Sequence, residues 1–380
     1  MKTIILVVFF FSIGLTFGQR INVKDYGATG DGTKDDTNAF NKAIAAIKQK
    51  YTSQQKQAVL YVPNGVYLVS KSIILDKYTS MEGEFVNTTI LRAKAMNTPV
   101  IILEKNFNEA EIYNSYNYVK NFTLQGTDYQ NSFINERKTS ASEVSNIGIL
   151  VKGLRTRIED MQIEGFLNSG IEVNGSYYTY INHVFFKNNA VGLLITNTST
   201  SVYLTQSELR FNSVGIIINN NSFANFINNN MIESNIARFN PYDVTLSQSN
   251  TNSTGRGIVI KNASANIITN NYLENHFVNI TLENAKKNII NSNFYAISDN
   301  TVLADKNQIS LQMIGDSQEN IFESNTFLTT VSNLEANKII IGNADYSSNK
   351  IDVGKDNARI KTLLNNKQSD SKKLPKIPNN

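Results

Sequence analysis

The sequence predicts an all-β fold, a single-stranded parallel β-helix closed at its N-terminal end by a capping α-helix. The first reason is a phrase that returns about every 22 residues, a period that marks stacked repeats. It reads Gly148-Ile149-Leu150-Val151, Gly170-Ile171-Glu172-Val173, Gly192-Leu193-Leu194-Ile195, Gly215-Ile216-Ile217-Ile218 and Gly257-Ile258-Val259-Ile260. Degenerate copies follow at Phe277-Val278-Asn279-Ile280 and Gln308-Ile309-Ser310-Leu311. The second reason is the phrase itself, short, β-branched and opened by glycine, which suits a strand entered through a tight turn. The third lies between the phrases, where Asn-rich stretches hold one or two more apolar triplets and no amphipathic helix of useful length. That pattern excludes leucine-rich and helical repeats and leaves coils of short parallel strands.

Composition narrows the chemistry. The 380 residues are 41% apolar, enough for one long core, and five prolines leave no evident linker in mid-chain. The absence of cysteine excludes disulfides, Cys-ligated zinc and thiol catalysis. Two histidines, His183 and His276, offer no basis for a His-rich metal centre. A net charge of +4 tolerates an anionic substrate but is too small and diffuse for a nucleic-acid partner.

The elements follow in order. Residues 1–18 carry one lysine, an apolar run from Ile4 to Phe11 and small residues near Gly18, the pattern of a secretory signal peptide. The run is short for a membrane span, so an exported protein without membrane insertion is expected. Asp31, Asp35, Asp36 and Thr37 then lie among the glycines of a tight loop, where Asp35, Asp36 or Thr37 can cap a helix. Ala39, Phe40, Ala43, Ile44 and Ile47 share one face of that helix, which would cover the open end of the solenoid. Val59 to Val69 reads as two strands around Pro63-Asn64-Gly65. Coils from 19 to about 354 form one domain, and the polar, basic residues 355–380 read as a disordered tail.

Val23 to Ile47, Leu60 to Leu68, and Ile74 to Ile90 around Met81-Glu82-Gly83 resemble the N-terminal signature of the pectate lyase superfamily of right-handed β-helix proteins. The nearest group holds rhamnogalacturonase- and epimerase-like domains and phage tailspike depolymerases. The resemblance implies a right-handed helix and, for Asp31, Asp35 and Asp36, a structural part in starting it. It also implies action on an extracellular, acidic polysaccharide by hydrolysis, β-elimination or uronate epimerisation, or binding without chemistry. No Asn-Thr-Asp, Gly-His-Gly or deep Asp-Asp pattern of the polygalacturonases is present. Nor is the calcium-binding aspartate cluster of the classical pectate lyases, to which Asp160 with Glu159 and Glu164 comes nearest. A calcium ion is expected only if the protein is a lyase, and no other cofactor is implied.

Two long insertions, Gln125 to Asn146 and Phe239 to Arg256, each end just before a Gly-Ile strand and so leave the solenoid at the same turn. Insertions on one side of a solenoid usually build its binding face. Aligning the coils places Lys187, Arg210, Glu233 and Glu274 in one column at the end of a strand. Adjacent coils lie about 4.8 Å apart, so Glu233 and Glu274 should be neighbours whose ionisation is mutually disfavoured. Glu233, Glu274 and Arg210 are therefore the candidate catalytic residues. A charge ladder pairing Arg210 with Glu233 explains the same column without chemistry. Candidate substrate contacts are Lys187, Glu172 (the charged residue of its phrase), His276 after Glu274, and Arg238 and Tyr242 at the second insertion. Tyr177, Tyr178 and Tyr180 can stack on sugars or on one another. Arg155 and Arg157 are expected to pair with Glu159 or Asp160. Recurrent Asn229, Asn230, Asn270 and Asn271 suggest amide ladders. Oligomeric state is left open.

Overall fold

The computed structural model describes residues 19–51, 57–76, 78–94, 96–104, 117–127, 147–235, 255–297, 309–329, 338–341 and 348–352. The expected leader, the C-terminal tail, most of both insertions, and Arg238 and Tyr242 lie outside these residues.

Each coil contributes three strands. The Gly-Ile phrases form a ten-stranded parallel sheet that includes Ser169–Asn174, Val191–Thr196, Val214–Asn219 and Arg256–Lys261. The other strands belong to a 20-stranded parallel sheet that bends at a corner in every coil. Its second face holds segments such as Thr200–Thr205 and Phe226–Asn228, and its third face Glu208–Arg210, Met231–Glu233 and Tyr272–Glu274. Three strands, Tyr118–Gln125, Arg157–Glu164 and Tyr177–Lys187, run around the corner and span both faces. Register is kept through five successive coils: Ile171 pairs Leu193, Leu193 pairs Ile216, Ile216 pairs Ile258 and Ile258 pairs Ile280. These inward positions are 0% exposed and belong to one continuous core, the form expected when coils bury only against neighbours.

The phrase glycines have a different cause from the one read in the sequence. Gly148, Gly170, Gly192, Gly215 and Gly257 are absent from the positive-φ positions. They are instead where adjacent backbones approach: a Cβ on Gly215 would lie 2.6 Å from the Gly257 carbonyl oxygen. Left-handed backbone occurs at the corner, where Asp160, His183, Gln206, Asn229, Asn270, Ser292 and Ser324 have φ between 49° and 59°. Short polar side chains tolerate that conformation.

The asparagines inside the turns form three ladders. Asn225, Asn266, Asn288, Asn320 and Asn349 follow the phrase strand, each Nδ2 donating to the next Oδ1 at 2.9 Å. Asn230, Asn271, Asn293 and Asn325 line the corner. Asn189, Asn212 and Asn235 line the turn before the next phrase. An amide both donates and accepts, so one per coil satisfies its neighbours without water.

The N-terminal helix α1 (Thr37–Lys50) buries Ala39, Phe40, Ala43, Ile44 and Ile47, with Phe40 edge-on to Tyr67 at 5.8 Å. Asp36 is the N-cap residue, yet its carboxylate accepts from Thr29 N and Gly30 N rather than capping the helix. Asp35 accepts from Thr37 N at 3.0 Å. Asp31 accepts from Thr33 N and Lys34 N, which hold its carboxyl down at about 2. All three aspartates shape the loop. No helix among the described residues is long and apolar enough to cross a membrane.

Candidate functional site

The third face carries two outward columns. At its end, Lys187 pairs in register with Arg210, Arg210 with Glu233, and Glu233 with Glu274. The column continues upward through Glu164 and Gln125 to Arg92, joined by hydrogen bonds of 2.8 and 2.9 Å. Arg210 donates from Nη1 to Glu208 at 2.9 Å and from Nη2 to Glu233 at 3.0 Å. Glu274 accepts the Tyr272 hydroxyl at 2.9 Å. Burial pushes the Glu233 carboxyl upward; Arg210 pulls it back, and neighbouring Glu274 adds to the rise. Burial, the Glu274 hydrogen bond and the charges of both glutamates push the Tyr272 hydroxyl up to about 12. Arg210–Glu233 is thus the ion pair of a ladder, while Glu274 makes the pair's carboxylate inequivalent to its own.

The second column, two residues earlier, reads Gln162, Phe185, Glu208, Met231 and Tyr272. Together with the corner residues Asp160, His183, Gln206, Asn229 and Asn270 it lines an open groove of about 660 Å³. Val86 and Asn87 reach this groove from the turn after Thr79–Gly83, held where the Thr123 hydroxyl donates to the Val86 carbonyl. The groove floor mixes amides with the exposed Met231 and the Tyr272 ring, and Arg210 and Tyr272 tie it to the carboxylate column on its rim. It lies at the corner between the second and third faces. The insertions leave from the opposite edge of the third face, so the column stands between the two.

Several expected contacts fall elsewhere. His276 is 0% exposed: its Nε2 faces Asn235 Nδ2 at 3.0 Å and its Nδ1 faces Asn279 Oδ1 at 2.8 Å. It takes the next place in the Asn189–Asn212–Asn235 ladder and cannot meet substrate, and burial lowers its pKa to about 4. Glu172 is only 9% exposed and lies on the ten-stranded sheet between Leu150 and Leu194, accepting from Asn174, rather than beside the groove. Asp160 pairs with His183 at 2.6 Å, and Arg155 lies over the Tyr178 ring at 5.3 Å. Tyr180 stacks on Tyr203 and Tyr203 on Phe226, with centroids 5.1 and 4.8 Å apart.

Four groove residues were missed by sequence reasoning: Glu208, Tyr272 and the Asp160–His183 pair. The signal existed, since aligning Ile158-Glu159-Asp160 with Ile181-Asn182-His183 sets the aspartate directly over the histidine. Among the described residues no three His, Asp or Glu side chains converge to hold a metal ion. The described residues therefore offer no carboxylate cluster that fits a calcium ion.

A profile described as "Rhamnogalacturonase A/epimerase, pectate lyase-like" matches residues 20–276. The chain belongs to this family. As a member of the pectate lyase-like family it is a right-handed β-helix. It is similar to a "Probable glucan endo-1,3-beta-glucosidase" of Arthroderma benhamiae, with 28% identity over 204 residues. The match covers 48% of this chain and 23% of that relative, so the chain spans about a quarter of the relative's length. Among solved structures, a DFA-IIIase from Arthrobacter chlorophenolicus A6 superposes with a TM-score of 0.63 at 14% identity, over 88% of this chain and 99% of that one. The Streptococcus pneumoniae surface protein and adhesin PfbA superposes with a TM-score of 0.59 at 15% identity, over 88% and 96%. At such identities the two structures share the pectate lyase-like fold and nothing finer.

Proposed function

We propose that this protein is a secreted glycoside hydrolase that cuts a neutral β-glucan lying in the corner groove. The observation that carries this reading is the pairing of Glu233 with Glu274 on adjacent strands at the groove rim. In it, Glu233, its carboxyl raised, donates a proton to the leaving glycosidic oxygen. Glu274, held by the Tyr272 hydroxyl, attacks the anomeric carbon. A backbone separation of about 4.8 Å suits the close carboxylates of retaining enzymes better than the wider pair of inverting ones. Arg210 positions Glu233 through its second nitrogen while Glu208 holds the first.

A neutral substrate fits better than the acidic one expected from the sequence. The groove and its rim bring together Asp160, Glu208, Glu233 and Glu274 against Arg210 and Lys187, an acidic excess that repels uronates. The glucosidase name of the fungal relative supports the same substrate class. The apolar leader from Ile4 to Phe11 supports action outside the cell.

The test incubates the protein with β-1,3-glucan and reads reducing ends and near-ultraviolet absorbance together. New reducing ends without absorbance are expected, with Glu233→Gln/Glu274→Gln slower by about a hundredfold or more. Absorbing products from a parallel incubation with a polyuronate, whose carboxylate permits β-elimination, would replace the hydrolase with a lyase. A second reading, a glycan-binding surface protein, draws on the Arg210–Glu233 ion pair as a plain ladder and on the likeness to an adhesin. Binding without product would select it.

A further inference from the structure

The corner groove holds a pair that the carboxylate column does not use. Asp160 Oδ1 and His183 Nδ1 are 2.6 Å apart on successive coils. The contact occupies Nδ1, so Nε2 lies on the opposite edge of the ring, and no protein group among the described residues bonds it. The His183 side chain is 73% exposed and lines the groove. Turn geometry alone does not call for these residues. The same left-handed corner is met by Gln206, Asn229 and Asn270 on the following coils, so an amide suffices there. An aspartate that fixes an imidazole is the arrangement used where one ring nitrogen must be presented in a set tautomer and direction.

Position assigns the pair a role apart from bond cleavage. His183 stands two coils from Asn229, which shares a strand turn with Glu233, so the separation along the helix axis is about 10 Å. That is the length of a disaccharide. A group this far from Glu233 cannot touch the scissile bond, yet it borders the same groove.

We propose that His183, oriented by Asp160, is a specificity-determining residue that accepts a hydrogen bond from a sugar hydroxyl at a remote subsite, making the groove select long glycans over short ones. The inference rests on the reading of the groove as a glucan site. In the tautomer that donates Nδ1–H to Asp160, Nε2 is the acceptor for the hydroxyl, and no bond is made or broken. Binding energy gained at such a distance favours substrates long enough to reach it.

The experiment measures binding of β-1,3-linked gluco-oligosaccharides by calorimetry in the cleavage-deficient Glu233→Gln/Glu274→Gln background. His183→Asn is the test variant, because asparagine already serves this corner at Asn229 and Asn270 and the fold is kept. Pentasaccharide affinity should fall about tenfold, the worth of one well-placed hydrogen bond, with disaccharide affinity unchanged. Asp160→Asn should give a smaller loss of the same pattern. In the enzyme with both glutamates intact, KM for the pentasaccharide should rise while kcat holds. Unchanged pentasaccharide affinity would reduce the pair to a turn element and overturn the proposal. An equal loss at every length would also overturn it, by placing His183 at the central subsite. Length-selective loss in a protein that cleaves nothing would uphold the subsite and sink the hydrolase reading. Absence of binding at any length would sink both.

Discussion

The same coils carry two stacks of polar residues, one inside and one outside, and the two obey different rules. Inside the corner, Asn230, Asn271, Asn293 and Asn325 repeat one residue type without change. Outside, only a few residues further along the strand, the column runs Lys187, Arg210, Glu233, Glu274 and Ala296, four residue types in five positions. No water reaches the interior, so each buried amide must meet a partner in the next coil, and the residue that both gives and takes is copied. Water satisfies the outer column, leaving its identity free. Repetition therefore reports structure, and departure from repetition marks where chemistry is placed. The interior has its own departure, His276, which ends one ladder.

Breaking the inner stack should have the largest effect on stability. Asn271 accepts from Asn230 N and Nδ2 and donates to Asn293 Oδ1 and the Ile227 carbonyl. Asn271→Ala leaves several of these groups buried and unpaired, so unfolding in urea should show a loss of roughly 3–4 kcal/mol.

Acid should be next. Burial holds His276 at about 4, below its ordinary 6.5, so between those values the unfolded chain binds the extra proton and the folded one does not. The His276 contribution is complete above pH 6.5, falls as pH drops, and is gone below about 4. Its total is roughly 3 kcal/mol. Urea midpoints of the wild type and His276→Asn measured across that range should separate as pH falls, the wild type dropping below the variant, because the asparagine continues the ladder without titrating. Parallel curves would show that the ring does not hold this place.

Crowding one glycine should cost less. Gly215→Ala drives a Cβ to 2.6 Å from the Gly257 carbonyl oxygen, and the coils must part slightly. A loss of about 2 kcal/mol is expected from denaturation. The outer stack sets the lower end: Glu274→Gln keeps an acceptor for Tyr272 and should stay within about 0.5 kcal/mol of the wild type while removing cleavage. A large loss of stability there would turn the column into scaffolding.

The chain's repeat was enough to state the fold. A recurring Gly-Ile phrase with Asn-rich intervals allows only stacked parallel strands, and counting along it placed Lys187, Arg210, Glu233 and Glu274 in one line, as their register shows. Periodicity gives which residues are neighbours, because the backbone ladder permits one register. It does not give which way a turn residue faces or how deep it lies. His276 and Glu172 read as exposed groups and proved buried, since burial depends on what packs over a position in three dimensions. The glycines read as turn formers and proved to be points of contact between backbones. The groove at the bend, with Asp160 set against His183 and Tyr272 against Glu274, depends on a left-handed corner that throws consecutive side chains apart. That corner draws on residues far apart in the chain, and only the closed coils bring them together.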